Sequence, residues 1–168
     1  MSRLETNRLI LRPFRLEDAQ AVFDNYASDE KVTKYCSWYA HKEVSESEAY
    51  LKEHLNDKYR WAIVLKEDKL DRPIGCIDVI NINEDNEPEV GYVLSSKHWN
   101  KGYMTEALNA VITELFNCGF KAIDACHFVE NISSGRVMQK CKMSYVGIGE
   151  IEAKGKKHKI DCYRIIKV

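Results

Sequence analysis

Apolar residues along this chain recur at two periods, and the switches between them mark the elements. From Leu9 to Pro13 apolar and charged residues alternate, which predicts a first strand. Leu16, Ala19, Val22, Phe23 and Tyr26 recur at helical spacing and predict an amphipathic helix over Leu16–Ala27. A second helix is predicted over Ser45–Leu55, with Ser45 and Glu48 spaced as a capping box. Trp61–Lys66 and Pro73–Asn83 read as strands joined by a charged turn. A polar turn over Asn83–Pro88 then leads into a strand over Glu89–Leu94. The strongest helix is predicted over Tyr103–Cys118. There Ala107, Leu108, Val111, Ile112, Leu115 and Phe116 form one stripe, and Gly119 is placed to end it. Ala122–Val129 reads as a strand and Ser133–Cys141 as a short helix. Met143–Ile151 and Ile160–Val168 read as a closing hairpin.

Three consecutive strands on short turns imply antiparallel pairing. The strand–helix–strand unit from Glu89 to Val129 implies a parallel crossover beside them. The expected fold class is α+β: a mixed, mostly antiparallel twisted sheet of about seven strands flanked by about four helices. The 168 residues contain no repeat, low-complexity tract or linker, so one domain over residues 1–168 is expected.

Composition narrows the partners. A hydrophobic share of 45% beside 30% charge is that of a soluble globular protein. A net charge of −1 gives no general attraction to nucleic acid or to an acidic membrane. No apolar run has the length of a membrane span, and the opening residues lack a signal-peptide core. The six cysteines show no CxxC pair and no metal-ligand spacing. Cys76, Cys118 and Cys126 sit in apolar surroundings and read as small buried hydrophobes in a reducing cytoplasm, with no metal expected. The basic run Lys154–Lys159 reads as an exposed hairpin tip, too short and too poor in aromatics for a nucleic-acid surface.

The run VGYVLSSKHWNKGYMTEAL, from Val90 to Leu108, carries the chemistry. A strand enters a short polar loop with one glycine, and the loop opens directly into a helix. Helix-initial N–H groups have no intrahelical partner, and the macrodipole adds positive charge there, so Asn100, Lys101, Gly102, Tyr103, Met104 and Thr105 form a candidate phosphate site. Gly102 lets the backbone approach a bulky ligand. One glycine does not make a dinucleotide fingerprint, and no GK[ST] is present for a Walker loop.

Three motifs in register resemble the GNAT superfamily of acetyl-CoA-dependent N-acyltransferases, and within it the branch of ribosomal-protein N-terminal acetyltransferases. ETNRLILRPFRLEDAQAVFD is similar to that branch's opening strand and helix. The Val90–Leu108 run is similar to its acetyl-CoA motif, and ENISSGRVMQK to its E-N-x-x-S helix. Of the superfamily's Q/R-x-x-G-x-G/A signature only Gly102 remains. The tyrosine often found on the last helix is Met138 here, and the glycine that usually closes that helix is Lys142.

The resemblance implies acetyl-CoA as cosubstrate, an amine acceptor (a protein N-terminus or a small molecule) and no metal, and it leaves a homodimer open. Tyr92, Val93 and Leu94 would offer a strand edge to the pantetheine amides. Lys97, Lys101 and Lys140 would meet outlying phosphates, against the alternative that each is a solvated surface charge. A lysine-like amine, with a pKa of about 10.4, needs a base more than an α-amine at about 7.8. Glu89 is the candidate base, against the alternative that it joins Glu84, Asp85 and Glu87 in a solvated turn. Ser134 is the candidate donor to the leaving thiolate and Asn131 a candidate pantetheine contact, each against a helix-capping role. Trp38 and Tyr39 are candidate walls of the acceptor pocket. The rival functional reading is a CoA-binding sensor without catalysis.

Overall fold

The apolar run from Trp61 to Val64 has no polar alternation because it lies mid-sheet with both faces covered, each side chain 1% exposed or less. The structure is a computed structural model describing residues 2–168. Its strands are β1 (Leu4–Glu5), β2 (Leu9–Arg12), β3 (Arg60–Leu65), β4 (Pro73–Ile82), β5 (Pro88–Leu94), β6 (Ala122–Phe128), β7 (Ser144–Ala153) and β8 (Lys156–Ile166). They form one 8-stranded sheet in the order β1-β2-β3-β4-β5-β6-β8-β7. Only β5 and β6 pair in parallel, as the crossover requires. The strand beyond the expected seven is β1, whose two residues are too few to display a period.

Five α-helices cover the sheet: α1 (Ala19–Val22), α2 (Glu30–Thr33), α3 (Val44–His54), α4 (Tyr103–Asn117) and α5 (Ile132–Lys140). The single helix expected over Leu16–Ala27 is instead broken. A 3-10 turn at Leu16–Asp18 leads into α1, which widens into a π turn over Phe23–Ala27. Such widening keeps Val22 and Tyr26 on the buried side while shifting the register. The capping box of α3 also lies two residues earlier than expected. Glu43 caps, and Glu46 Oε2 accepts from the Glu43 N–H at 3.1 Å, because Ser47 is fully buried against His41.

The α4 stripe is buried as its spacing predicts, and Gly119 follows the helix at φ +99. That stripe packs with Leu9, Leu11, Ile63 and Ile123 on one face of the sheet. On the other face α1 and α3 close over Ala62 and Cys76. Met138 is core, 1% exposed. Lys142, in place of a glycine, adopts φ +62, so the turn after α5 keeps left-handed geometry despite its side chain.

Two further expectations are corrected. Cys118 is exposed, since it lies beyond the apolar stripe at the C-cap of α4. The closing hairpin is longer than expected and turns only at Lys154 and Gly155, both at positive φ as a type I′ turn demands. Lys156 to Lys159 therefore lie within β8. Lys154 is no free tip: its Nζ donates to the Thr33 carbonyl at 2.7 Å, so the hairpin end folds onto α2.

Candidate active site

β5 and β6 pair at Glu89 and Asp124 and at no later position. Beyond that point β5 keeps β4 on one side, while its other side faces an opening rather than a strand. The stretch from Tyr92 to Leu94 flanks this opening, and α5 borders it across the gap. At Leu94 the carbonyl accepts from the Trp99 indole N–H at 2.8 Å, so the open edge lies mainly at Tyr92 and Val93.

The opening continues as a cleft of about 380 Å³ toward the start of α4. Gly102 caps α4 with φ +79, and the first intrahelical bond runs from the Glu106 N–H to the Gly102 carbonyl at 3.0 Å. Among the described residues, the N–H groups of Asn100 to Thr105 donate to no other group. Six such amides together with the helix dipole could hold an anion. Asn100, Gly102, Tyr103, Met104, Thr105 and Lys140 line the cleft. Lys97 and Lys101 do not, because the loop turns both outward, and the Lys101 carbonyl is held by Arg8 Nη1 at 2.9 Å. The cations present instead are Lys31 of α2 and Arg136 of α5, beside Lys140. His98 also lines it; burial, then Lys101 and Lys97, pull its pKa down.

On the other side of Tyr92 a second cavity of about 420 Å³ opens. It is lined by Tyr26, Trp38, Tyr50, Phe128 and aliphatic side chains, and by two carboxylates, Asp78 and Glu89. Among the described residues no lysine or arginine lines it. Asp78 is half-buried and raised by burial, with Arg60 Nη2 at 2.8 Å holding the rise back. Glu89 has no ion-pair partner among the described residues: its neighbour Asp124 is taken by Arg164 Nε at 2.7 Å. Burial raises the Glu89 carboxyl above its ordinary range; the Cys126 thiol partly offsets this and Asp124 adds to it. Glu89 thus stands apart from the turn residues Glu84 and Asp85, which are exposed, and from Glu87, which pairs with Arg164 at 2.8 Å.

The two spaces meet at Tyr92 and Ser134, which line both. The Tyr92 hydroxyl donates to the Ser134 carbonyl at 2.9 Å, and the Ser134 hydroxyl donates to the Tyr92 oxygen at 2.8 Å. Burial raises the Tyr92 phenol well above its usual range, with Ser134 partly offsetting, so it stays protonated across the working pH range. Asn131 also borders both spaces and caps α5, its Oδ1 accepting from the Ser134 N–H at 3.4 Å. Capping uses only the carbonyl oxygen, so the side-chain amide retains donors for a ligand.

Trp38 lines the second cavity, but Tyr39 does not. It is 69% exposed and its hydroxyl reaches the Lys154 carbonyl at 3.5 Å. Sequence reasoning missed Asp78, Tyr26, Tyr50, Lys31 and Arg136. These come from five separate elements, and only Arg136 lay inside a recognised motif. His127 was missed too. It lines the cavity wall, its Nδ1 meets the Phe128 carbonyl at 2.7 Å, and its buried Nε2 is unpartnered against Gly135.

Comparisons with known proteins bear on the family and the fold. A family model for the acetyltransferase (GNAT) domain matches residues 8–144. The chain is 32% identical over 171 residues to the uncharacterised N-acetyltransferase p20 of Bacillus licheniformis, covering 97% of this chain and 94% of that protein. Among solved structures, a GNAT-family acetyltransferase from Bacillus anthracis superposes with a TM-score of 0.88 at 26% identity, covering 98% of each chain. The fold is also that of RimL, a ribosomal L7/L12 α-N-protein acetyltransferase solved with coenzyme A. There the TM-score is 0.82 at 17% identity, again covering 98% of each chain.

Proposed function

The chain belongs to the acetyltransferase (GNAT) family, and on that premise we propose that it transfers an acetyl group from acetyl-CoA to a primary amine by direct attack. The observation that carries this reading is the opposite character of two spaces sharing one junction. One has free helix-initial amides and Lys31, Arg136 and Lys140, suited to the phosphates of CoA. The other has carboxylates, aromatic walls and no cation among the described residues, suited to an amine. Tyr92 and Ser134 lie where the thioester would bridge them.

In this reading the pyrophosphate sits on Asn100 to Thr105, with Lys101 contributing its backbone N–H. The pantetheine amides pair with the Tyr92 and Val93 edge and with Asn131, threading the gap between β5 and β6. The acceptor enters as an ammonium, and Glu89 takes its proton, directly or through a water. A raised carboxyl pKa suits that task, because proton transfer is most effective when the base titrates closer to the working pH. The amine nitrogen attacks the thioester carbonyl, the C–N bond forms, the C–S bond breaks, and CoA leaves as thiolate. Tyr92 gives the thiolate a proton; the second proton shed by the acceptor nitrogen passes to water, from which the Ser134 hydroxyl, already donating to the Tyr92 oxygen, relays one back to Tyr92.

The test is release of free CoA thiol from acetyl-CoA in the presence of a broad amine panel. Amine-dependent thiol release supports the proposal. Tight CoA binding with no release for any amine would instead support a sensor that binds CoA without catalysis.

A further inference from the structure

The second cavity also limits what the amine is attached to. Resting on the acetyltransfer reading, we propose that the acceptor is a compact monoamine. It carries one ammonium, no anionic group, and an aromatic or branched aliphatic body.

The charges lining the cavity carry this inference. Of its two carboxylates, Asp78 is already closed by Arg60 Nη2 at 2.8 Å. Arg60 in turn is held by Asp57 at 3.1 Å and by the Tyr50 hydroxyl. Glu89 is therefore the carboxylate left for a ligand cation, and the chemistry itself uses it. A second ammonium inside the cavity would meet no unpaired carboxylate. Desolvating it unpaired costs far more than a hydrophobic contact returns.

An anionic group on the acceptor fares no better. Among the described residues no lysine or arginine lines the cavity. Of the two imidazoles that do, His41 has its pKa lowered by burial and engages the Ser47 hydroxyl through Nδ1 at 2.8 Å, and His127 spends its Nδ1 proton on the Phe128 carbonyl at 2.7 Å. A carboxylate or phosphate entering there would be buried without a counter-charge. Free amino acids and phosphorylated amines are disfavoured on this ground, although both carry a primary amine.

The walls specify the body. Tyr26, Trp38, Ile80, Phe128, Ile151 and Ile160 present apolar and aromatic surface. A volume of about 420 Å³ lies toward the small end of ligand sites, which run from about 300 to 1,000 Å³. It holds one ring or one branched chain with its aminoalkyl arm.

Matched pairs of acceptors test this with the wild-type enzyme and acetyl-CoA, with thiol release as the readout. Phenethylamine and L-phenylalanine share a body and differ by one carboxylate. Pentylamine and 1,5-diaminopentane differ by one ammonium. A peptide with an N-terminal phenylalanine carries the same side chain on a polymer. We expect kcat/KM for phenethylamine about 100-fold or more above that for L-phenylalanine, the scale of one charge left unpaired in a partly buried site. Pentylamine should exceed the diamine by about 10-fold or more, less because a flexible tail can leave its second charge in solvent. Comparable values within either pair, or the peptide as the best acceptor, would overturn the inference while leaving acetyl transfer intact. Thiol release with none of these, nor with the broad panel, would overturn both.

Discussion

Arg8 grips Glu106 across 98 residues of chain, its Nε 2.7 Å from the Glu106 carboxylate. The Arg8 backbone N–H and the Thr6 hydroxyl donate to the same carboxylate at 2.7 and 2.6 Å. Burial would raise the Glu106 pKa, but these donors more than offset it and hold it below its usual range. Arg8 also binds the Lys101 carbonyl at 2.9 Å and lies 4.4 Å over the Tyr103 ring. One side chain just before β2 thereby holds the loop that carries the unpaired amides of Asn100 to Thr105. Arg8→Ala should raise the KM for acetyl-CoA by roughly 10-fold with little change in kcat, because loop placement, not chemistry, is lost. Steady-state kinetics varying acetyl-CoA reads this; an unchanged KM would show that the loop holds itself.

Glu89→Gln keeps the shape and removes the carboxylate proposed as the base. At neutral pH kcat should fall by roughly 10²-fold or more. The loss should shrink as pH rises toward the acceptor's own pKa, where free amine forms unaided. The wild-type acid limb should lie above the ordinary carboxylate range, as burial of Glu89 demands, and be absent in the variant. Near-full kcat in the variant at neutral pH would move the proton transfer elsewhere.

The same group has a stability sign. Because its folded pKa is raised, the native state binds this proton more tightly than the unfolded chain does. Its contribution is fully present below the unfolded pKa and is lost as pH rises through the folded value. At pH 7–8 Glu89→Gln should thus melt no lower than wild type, and a clearly lower Tm would contradict the burial argument.

Gly102→Val forces a β-branched side chain into φ +79 and brings its Cβ to 3.4 Å from Arg8 Nη2. The left-handed conformation costs roughly 1–2 kcal/mol, which lowers Tm without emptying the core. CoA affinity should fall by about 10-fold or more, since the side chain stands where the pyrophosphate would approach the backbone. Calorimetry on the folded variant giving wild-type affinity would remove the phosphate from this loop.

Tyr92→Phe deletes the hydroxyl at the junction and leaves the Ser134 hydroxyl without its acceptor. If Tyr92 protonates the thiolate, kcat should drop by about 10²-fold. Ser134→Ala should cost less, because Tyr92 can then draw its proton from water. A larger loss for Ser134→Ala than for Tyr92→Phe would reverse the two roles.

Lys142→Gly should stabilise the protein. Lysine at φ +62 carries roughly 1–2 kcal/mol of strain, against about 0.5–1 kcal/mol of extra unfolded-state entropy for glycine. Tm should rise by a few degrees in thermal melts, and a fall would mean that the lysine side chain supplies compensating contacts.

What the sequence alone determined about this protein is whatever rests on local periodicity. The α4 stripe from Ala107 to Leu115, the succession of strands and helices along the chain, the strand–helix–strand crossover after Glu89 and the glycine-led loop into α4 each rest on signals within one turn or one alternation. Backbone geometry acts over that range, so the residues themselves carry the signal. The tertiary structure decided the rest. The divergence of β5 from β6 depends on both strands at once. So do the closure of Asp78 by Arg60, the meeting of Tyr92 with Ser134 across 42 residues, and the grip of Arg8 on Glu106. The side chains of Tyr39 and Lys101 lie outside the two spaces for the same reason. Both side chains sit in segments without period, where the direction of a residue is set by what packs against it and not by its neighbours in the chain.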